Sequence, residues 1–450
     1  MSKLFGDKKF IISVLTIAIP IMFQQLITGS VQLIDNLMVG SLGDYVVSAV
    51  GASNRFYLIG QSGMFGLSVA GSIFVAQFYG ARNNEKTKEC FRVIVLSLLV
   101  IAALFTMVAF FFPSNIINFF YQDDIISKYG VSYLSIVAFT FIPVSISLSI
   151  STSLKAIGKL KLQIFISAIA VILNTVLNYF LIFGNFGFPE LGVSGAAIAT
   201  LIARIVECGL FILAMMKNDF VFKTKLSNIF HISKGLTKKI YIKALPLMAN
   251  EIGWAFGMAT LYMLYSKGGA DVGAGYMVAS TVSDIFFILF AGMGAASTVL
   301  IAQPLGANNL EEGRSNGYRL IGLSALMSLV FAFSMFMFSF VIPYLYNDLS
   351  FGAKEFAVTM LRIQSIMFIF FMISTQNYFI LRAGGDTLST FIFDSCFMWL
   401  INIPVVWYLT MYTDLPVYII FICGQSVEFL KIALGAYLVK REKWVHNLAK

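Results

Sequence analysis

The sequence predicts an all-α membrane protein: about twelve transmembrane helices in two six-helix lobes, related by a pseudo-two-fold axis along the membrane normal. Three observations carry that expectation. The composition is too apolar for a soluble domain, the apolar residues come in runs long enough to cross a bilayer, and the chain repeats itself halfway along. Of its 450 residues, 59% are hydrophobic and only 12% are charged, with a mean hydropathy of +0.86. Soluble domains carry about 25% charged residues, so the solvent of this chain is lipid.

The apolar runs come first. A helix needs about 20 apolar residues to cross roughly 30 Å of hydrocarbon at 1.5 Å per residue. Twelve such runs are legible, at 12–39, 52–79, 93–113, 131–154, 162–183, 194–216, 244–265, 276–304, 320–343, 356–380, 388–409 and 416–438. The leader Lys3, Lys8 and Lys9 precedes a run too long for a signal peptide and without a small-residue cleavage site, so it reads as an uncleaved first span.

Charge position then fixes orientation, because basic loops stay in the cytoplasm. With the N-terminus inside, 24 of the 31 Lys and Arg fall on the cytoplasmic side, and only Lys128, Lys267 and Lys354 fall outside. Arg55, Arg204, Arg362 and Lys431 lie within the spans. Both termini are expected in the cytoplasm of a multi-pass plasma-membrane protein. The net charge of +9 reflects these loops and implies no nucleic-acid partner.

The repeat runs at a fixed offset. Ala18-Ile19-Pro20-Ile21-Met22 returns as Ala244-Leu245-Pro246-Leu247-Met248, 226 positions later. Over 66–85 against 292–311, eight of twenty positions are identical: Gly66, Ala70, Ala76, Gln77, Gly80, Ala81, Asn83 and Glu85. Lys155-Ala156-Ile157-Gly158 and Arg382-Ala383-Gly384-Gly385 continue the match at offset 227. Six spans per half make the halves parallel repeats, an arrangement frequent in secondary transporters. The expected division is an amino-terminal lobe 1–216, a basic cytoplasmic linker 217–243 and a carboxy-terminal lobe 244–450 with its tail. The linker is expected either to hold an interfacial helix or to be a disordered connection.

Several chemistries are excluded or unsupported. The two histidines, His231 and His446, lie outside every span, which argues against a zinc hydrolase, a haem protein or an intramembrane enzyme. Cys90, Cys208, Cys396 and Cys423 never form a C-x-x-C pair and read as small apolar residues. No Gly-x-x-x-x-Gly-Lys-Ser/Thr loop is present, so direct ATP drive within this chain is excluded. No cofactor is expected.

Six acids fall inside the spans: Asp35, Glu207, Glu251, Asp284, Asp394 and Glu428. An aspartate near the bilayer centre costs roughly 2.5–3.5 kcal/mol on the insertion scale, so each requires a partner or a task. Glu207 lies three residues after Arg204 and Glu428 three before Lys431, on one helix face in each case, and both read as structural pairs. Asp35, Glu251, Asp284 and Asp394 have no base nearby in sequence and are expected to bind the coupling cation.

Neighbouring polar residues extend those sites. On the first span Gln25, Thr28, Gln32, Asp35 and Asn36 share an arc of about 100°. On the fifth, Gln163, Ser167, Asn174 and Asn178 share about 60° and offer oxygen ligands to whatever the first span presents. Asp35 with two asparagines is chemistry for Na⁺ or for a protonatable carboxylate, with hydrogen bonding between helices as the plainer reading. On the seventh span Glu251, Trp254, Met258, Tyr262 and Tyr265 form a carboxylate followed by an aromatic and thioether wall, suited to lipophilic cations or simply to core packing. Na⁺ at Asp35 or Glu251 is the only metal ion expected. Pro20 and Pro246 are expected hinges of equivalent helices, and Pro143 and Pro404 interrupt the fourth and eleventh.

Together these residues resemble a known family. The paired Pro-Ile-Met and Pro-Leu-Met openings, Val31-Gln-Leu-Ile-Asp35-Asn-Leu-Met-Val-Gly40, the paired Ala-Gln-x-x-Gly-Ala turns, Leu173-Asn174 through Leu177-Asn178-Tyr179, and Gly192-Val-Ser-Gly-Ala-Ala-Ile-Ala-Thr200 resemble the multidrug and toxic compound extrusion (MATE) transporters over nearly the whole chain. The resemblance implies an antiporter that exports amphipathic organic cations in exchange for H⁺ or Na⁺, and a lipid-linked precursor flippase of the same superfamily is the alternative. It implies that Asp35 is the first-helix aspartate, Asn174 the fifth-helix asparagine, Thr200 the sixth-helix threonine and Glu251 the seventh-helix glutamate. Asn178 stands where some members have a second aspartate, and the tenth-helix aspartate of some Na⁺-coupled members is missing, with Asp284 and Asp394 as its expected replacements. Small organic cations and the bilayer are the expected partners of a monomer. A channel would need a ring of charge that separate acids in two lobes do not form.

Overall fold

A computed structural model describes residues 6–120, 123–345 and 350–449; the side chains of Gln32 and Asn36, both expected in the polar stripe, lie outside the described ones. Twelve long helices run through it: α1 (Lys8–Gly40), α2 (Asp44–Gly80), α3 (Asn84–Phe111), α4 (Asp124–Ala156), α5 (Leu160–Phe183), α6 (Gly192–Lys217), α7 (Lys234–Ser266), α8 (Ala270–Gly306), α9 (Leu310–Phe338), α10 (Phe351–Ala383), α11 (Thr387–Tyr412) and α12 (Val417–Lys440). No strand occurs among the described residues. Eleven of the twelve are apolar enough to cross a membrane by length and composition. The other is α7, which carries Pro246, Asn250 and Glu251 in its middle.

Most helices begin several residues before the apolar runs, because polar first turns belong to the helix and not to the hydrocarbon. Asn83, Asp123, Asn309, Ser350 and Asp386 each accept a hydrogen bond from a first-turn N–H, satisfying donors that a helix start leaves open. The repeat is visible in these turns. Arg82 (φ 56°) and Asn308 (φ 63°) hold the same left-handed conformation immediately before the matched caps Asn83 and Asn309.

The described chain divides into two compact units: Phe23–Met248, and Ala249–Lys450 together with the start of α1 up to Met22. The division falls inside α1 and inside α7 at repeat-equivalent positions, two residues beyond Pro20 and Pro246. Each helix start is seated by backbone approach to a matched glycine. A Cβ on Gly66 of α2 would lie 2.6 Å from the Met248 Cα, and one on Gly292 of α8 would lie 2.9 Å from the Ala18 carbonyl oxygen. Only glycine admits so close a backbone.

Outward faces match as well. Val100, Leu104, Met107 and Phe111 of α3 form an exposed apolar stripe, repeated by Leu326, Val330, Phe333 and Met337 of α9. Spaced by three and four residues, these side chains form one face of each helix, as contact with lipid requires.

The linker is docked. Residues 218–233 pass irregularly along α3, and the helix begins at Lys234, ten residues before the seventh apolar run. Phe222 is fully buried with its ring 5.0 Å from that of Phe91; Arg92 donates to Thr224 at 2.9 Å and to the His231 carbonyl at 3.1 Å. The carboxy-terminal tail is docked by related contacts: Trp444 is fully buried against Gly317 and Gly384, and Asn447 donates to the Gly306 carbonyl at 3.2 Å.

The expected proline breaks take two forms. A 3₁₀ turn at Ala138–Thr140 precedes Pro143 within α4. In α11 the backbone widens into π-helix at Ile392–Cys396 and again at Met398–Asn402, immediately before Pro404. Proline cannot donate to the carbonyl one turn back, and the i→i+5 register spreads that mismatch over two turns.

Candidate functional site

Two polar clusters emerge, one in each unit. The first lies in Phe23–Met248 and joins α1, α5 and α6. Asn178 Nδ2 donates to Asp35 Oδ1 at 2.9 Å. Asn174, its amide oriented by its neighbours, donates to Asp35 Oδ2 at 2.6 Å and accepts from the Thr200 N–H at 3.3 Å. Four of the sequence-predicted residues, Asp35, Asn174, Asn178 and Thr200, thus meet. No base is ion-paired to Asp35 among the described residues. Asn178, 2% exposed, has its carbonyl oxygen without a hydrogen-bond partner among them. A buried orphan oxygen beside a carboxylate is the donor set that a proton or an alkali cation completes.

Arg204 of α6 is engaged elsewhere. It pairs with Glu207 at 2.8 Å, as their spacing predicts, and Ser167 of α5 donates to the same carboxylate at 3.2 Å. Further along α1, Gln163 donates to Gln24 at 3.4 Å. The expected cavity residue Gln25 is exposed beside it.

The second cluster lies in the other unit and overturns the expectation that its acids are uncompensated. Arg382 approaches Glu251 at 3.5 Å, and Lys431 binds Asp394 at 2.8 Å. The expected pairing of Lys431 with Glu428 is therefore corrected: a base across helices wins over one three residues away, because Asp394 faces α12. Glu428 stays within electrostatic reach of both Lys431 and Asp394.

Neutral groups connect the two pairs. Tyr378 donates to Glu251 at 3.4 Å and accepts from Arg382 at 3.1 Å and from Asn250 at 3.3 Å; Asn250 also donates to Asp394 Oδ2 at 3.1 Å. The Asn250 backbone and side-chain oxygens take the Ser395 hydroxyl and N–H at 2.7 and 3.1 Å, fixing α7 to the π-helical turn of α11. Asp394 and Glu251 thus share one network, of which sequence reasoning missed Asn250, Tyr378 and Arg382. Arg382 was hidden because it falls two residues beyond the apolar run 356–380, where it counts as a cytoplasmic loop residue.

The remaining expected residues separate. Asp284 of α8 joins neither cluster and has no hydrogen bond or ion pair among the described residues. Along α7, Trp254 and Met258 are exposed, whereas Tyr262 packs on Tyr276 with ring centroids 5.4 Å apart and Tyr265 is buried against Tyr276 and Phe421. The wall expected from one helix face divides into an open end and a core end. Among the described residues no group of three His, Cys, Asp or Glu is arranged to hold a metal ion, and the four cysteines are free.

The MatE family profile matches residues 20–180 and 246–408, one match per repeat. The chain is 25% identical over 449 residues to a probable multidrug resistance protein NorM of Bacillus cereus, covering 95% of each chain. It is 26% identical to one from Bacillus thuringiensis subsp. konkukian, covering 88% of this chain and 87% of that one. Among solved structures, it superposes on a crystal structure of a MATE mutant with a TM-score of 0.88 at 18% identity, over 98% of each chain. The outward-facing conformation of a multidrug resistance MATE family transporter of the MOP superfamily gives 0.87 at 18% identity, again over 98% of each. At that identity the likeness fixes the fold, and it is the same helical fold.

Proposed function

This chain belongs to the MatE family, whose members are membrane transporters and not enzymes, and from that premise we propose that it is a secondary antiporter exporting amphipathic organic cations in exchange for H⁺ or Na⁺. The relatives' name, probable multidrug resistance protein, supports the substrate class. The observation that carries the coupling is Asp35: a carboxylate held by two neutral amides, with an orphan amide oxygen beside it and no base ion-paired to it among the described residues. An amide reverses its polarity by a half-turn, so the side chain that donates to a bare carboxylate presents oxygen to a bound cation.

In this reading, ion entry neutralises Asp35, changes which face Asn174 and Asn178 present, and thereby changes the stability of one conformation of α1 relative to another. The ion must bind the two conformations unequally, since equal affinity shifts nothing. Pro20 and Pro246 serve as the hinges, each leaving a carbonyl unbonded one turn back. Glu251 supplies counter-charge to the organic cation once Arg382 is displaced from it, and Trp254 and Met258 supply exposed apolar surface near it. In this reading the protein acts as a monomer in the plasma membrane; the distribution of its basic residues supports cytoplasmic termini.

Purified protein in liposomes tests the proposal. A fluorescent organic cation should be driven against its gradient by an imposed pH or Na⁺ gradient and should stop when that gradient collapses. Accumulation indifferent to both gradients would sink antiport.

A further inference from the structure

The start of α7 carries a basic and apolar surface that neither polar cluster uses. It runs beside α3 in step: the Ser233 N–H donates to Glu89 Oε1 at 2.8 Å, and eight residues further along each segment Tyr241 donates to Ser97 Oγ at 2.8 Å. The apolar run of α3 begins at residue 93, so Thr237 stands level with the edge of the hydrocarbon, on the side that the basic residues assign to the cytoplasm. There Ile232, Lys234, Thr237, Lys238 and Tyr241 line an open groove of about 350 Å³. Lys234, Lys238, Ile242 and Leu245 are all exposed, and their spacing of four, four and three residues puts them on one helix face. Two bases at the groove are followed by two aliphatic side chains deeper toward the membrane. Glu89 is taken by Lys86 at 2.7 Å, and neither Lys234 nor Lys238 is ion-paired among the described residues.

The repeat shows what is particular to this helix. Lys238, Lys239 and Lys243 stand where α1 has Ile12, Ser13 and Ile17, and Thr237 and Tyr241 stand where it has Ile11 and Leu15. The equivalent helix turns apolar at once, whereas α7 keeps bases through the headgroup layer. Packing does not call for them, since the buried face here is Leu236, Ile240 and Ala244. We propose that this face binds an anionic phospholipid of the cytoplasmic leaflet, its phosphate held by Lys234 and Lys238 in the groove and its acyl chain laid along Ile242 and Leu245. Each ammonium brings charge and hydrogen-bond donors to the phosphate oxygens, and flexible stems let both reach one headgroup. Tyr241, its hydroxyl fixed by Ser97, forms a wall at the depth where amphipathic rings settle. The docked linker keeps the groove in shape: Phe222 on Phe91 and Arg92 on Thr224 and the His231 carbonyl hold the segment that leads into Ile232. A soluble phosphate would meet the same bases but gain nothing from Ile242 and Leu245, so the stripe favours a lipid.

Native mass spectrometry of the full chain, purified in detergent and stripped of lipid, tests the assignment. Phosphatidylglycerol and phosphatidylcholine with the same acyl chains are titrated onto the wild type, onto Lys234→Gln/Lys238→Gln, and onto Lys159→Gln/Lys161→Gln, which loses the same charge from another loop. The wild type should bind its first phosphatidylglycerol about tenfold more tightly than phosphatidylcholine, the preference that two bases beside an anionic headgroup provide. Lys234→Gln/Lys238→Gln should lose that preference and the control pair should keep it. Neither inorganic phosphate nor glycerol phosphate in excess should displace the lipid. A second readout needs no substitution: acylation of amines in nanodiscs, followed by mass spectrometry, should be slower at Lys234 and Lys238 with phosphatidylglycerol than with phosphatidylcholine, and unchanged at Lys225. Equal affinity of the wild type for the two lipids, a preference that survives loss of both lysines, an equal loss in the control pair, displacement by either soluble phosphate, or acylation indifferent to the lipid would each overturn the proposal.

Discussion

The two polar clusters answer the same question, how to keep a carboxylate inside a membrane helix bundle, in opposite ways. Around Asp35 the partners are neutral: Asn174 and Asn178 donate to the carboxylate, and the Thr200 N–H donates in turn to Asn174. Around Asp394 and Glu251 the partners are charged: Lys431 and Arg382, bridged by Tyr378 and Asn250. A carboxylate among amides keeps its charge available to an incoming cation. One bound to a base surrenders it until that base moves, and the attraction of the buried pair offsets the cost of taking both charges from water.

The duplication makes the contrast sharper. At the 226-residue offset Asp35 corresponds to Leu261, a buried core residue, while Asn250 and Glu251 correspond to Gln24 and Gln25. The two halves place their acids at different heights of an equivalent helix. Divergence has therefore moved the charge along the helix as well as changed its partners, and the two sites are free to respond to different ions.

The linker and the tail show the same divergence in apolar form. Phe222 packs on Phe91 of α3, and Trp444 packs on Gly317, the residue of α9 that corresponds to Phe91. Two medium rings on one side match one large ring over a missing side chain on the other. Packing volume is kept while both partners change.

These comparisons can be broken by substitution, beginning with the largest stability effects. Asp394→Asn strips Lys431 of its acid and should cost about 3–5 kcal/mol, the usual penalty for orphaning one member of a buried pair. It should appear as a lower thermal midpoint in detergent and poor folded yield, and an unchanged midpoint would show that Glu428 already holds the ammonium. Trp444→Ala should cost about 3–5 kcal/mol by opening a cavity over Gly317, with Phe222→Ala close behind. If only one of the two destabilises, the linker and tail are not equivalent anchors. Glu207→Gln should cost about 3 kcal/mol as well, because it strips Arg204, which lies within the α6 span, of its ion-pair partner at 2.8 Å. Asn83→Ala and Asn309→Ala should each cost about 1 kcal/mol as lost helix caps, by equal amounts if the repeat turns are equivalent. The smallest effect on stability belongs to Asp35→Asn, since no base is ion-paired to that carboxylate among the described residues.

Sequence alone carried the helices, the duplication and the amino-terminal cluster, and the physical reason is locality. Asp35, Asn174 and Asn178 lie within apolar runs where a polar side chain announces itself, and helical spacing puts the asparagines on one face. The carboxy-terminal pairs were hidden because each joins residues distant in sequence. Lys431 has a carboxylate three residues away that looked like its partner, and only the facing of α11 and α12 reveals the nearer one. Asn250 was masked by its neighbour Glu251, and Tyr378 by the abundance of aromatics. The π-helical turn of α11 has no signal beyond Pro404 downstream. The exchange of helix starts between units depends on Gly66 and Gly292, which the repeat marks as a matched pair but whose contacts only packing supplies.

The central claim is that the uncompensated acid in the amino-terminal unit couples transport to an ion. Its most direct measurement is export of a fluorescent organic cation by Asp35→Asn in liposomes under imposed pH and Na⁺ gradients, with the thermal midpoint recorded on the same preparation. The account predicts a wild-type midpoint, equilibration of the cation down its own gradient, and no accumulation against it under either ion. Accumulation at the wild-type rate by a stably folded Asp35→Asn protein would contradict it and would leave coupling to the acids around Lys431 and Arg382.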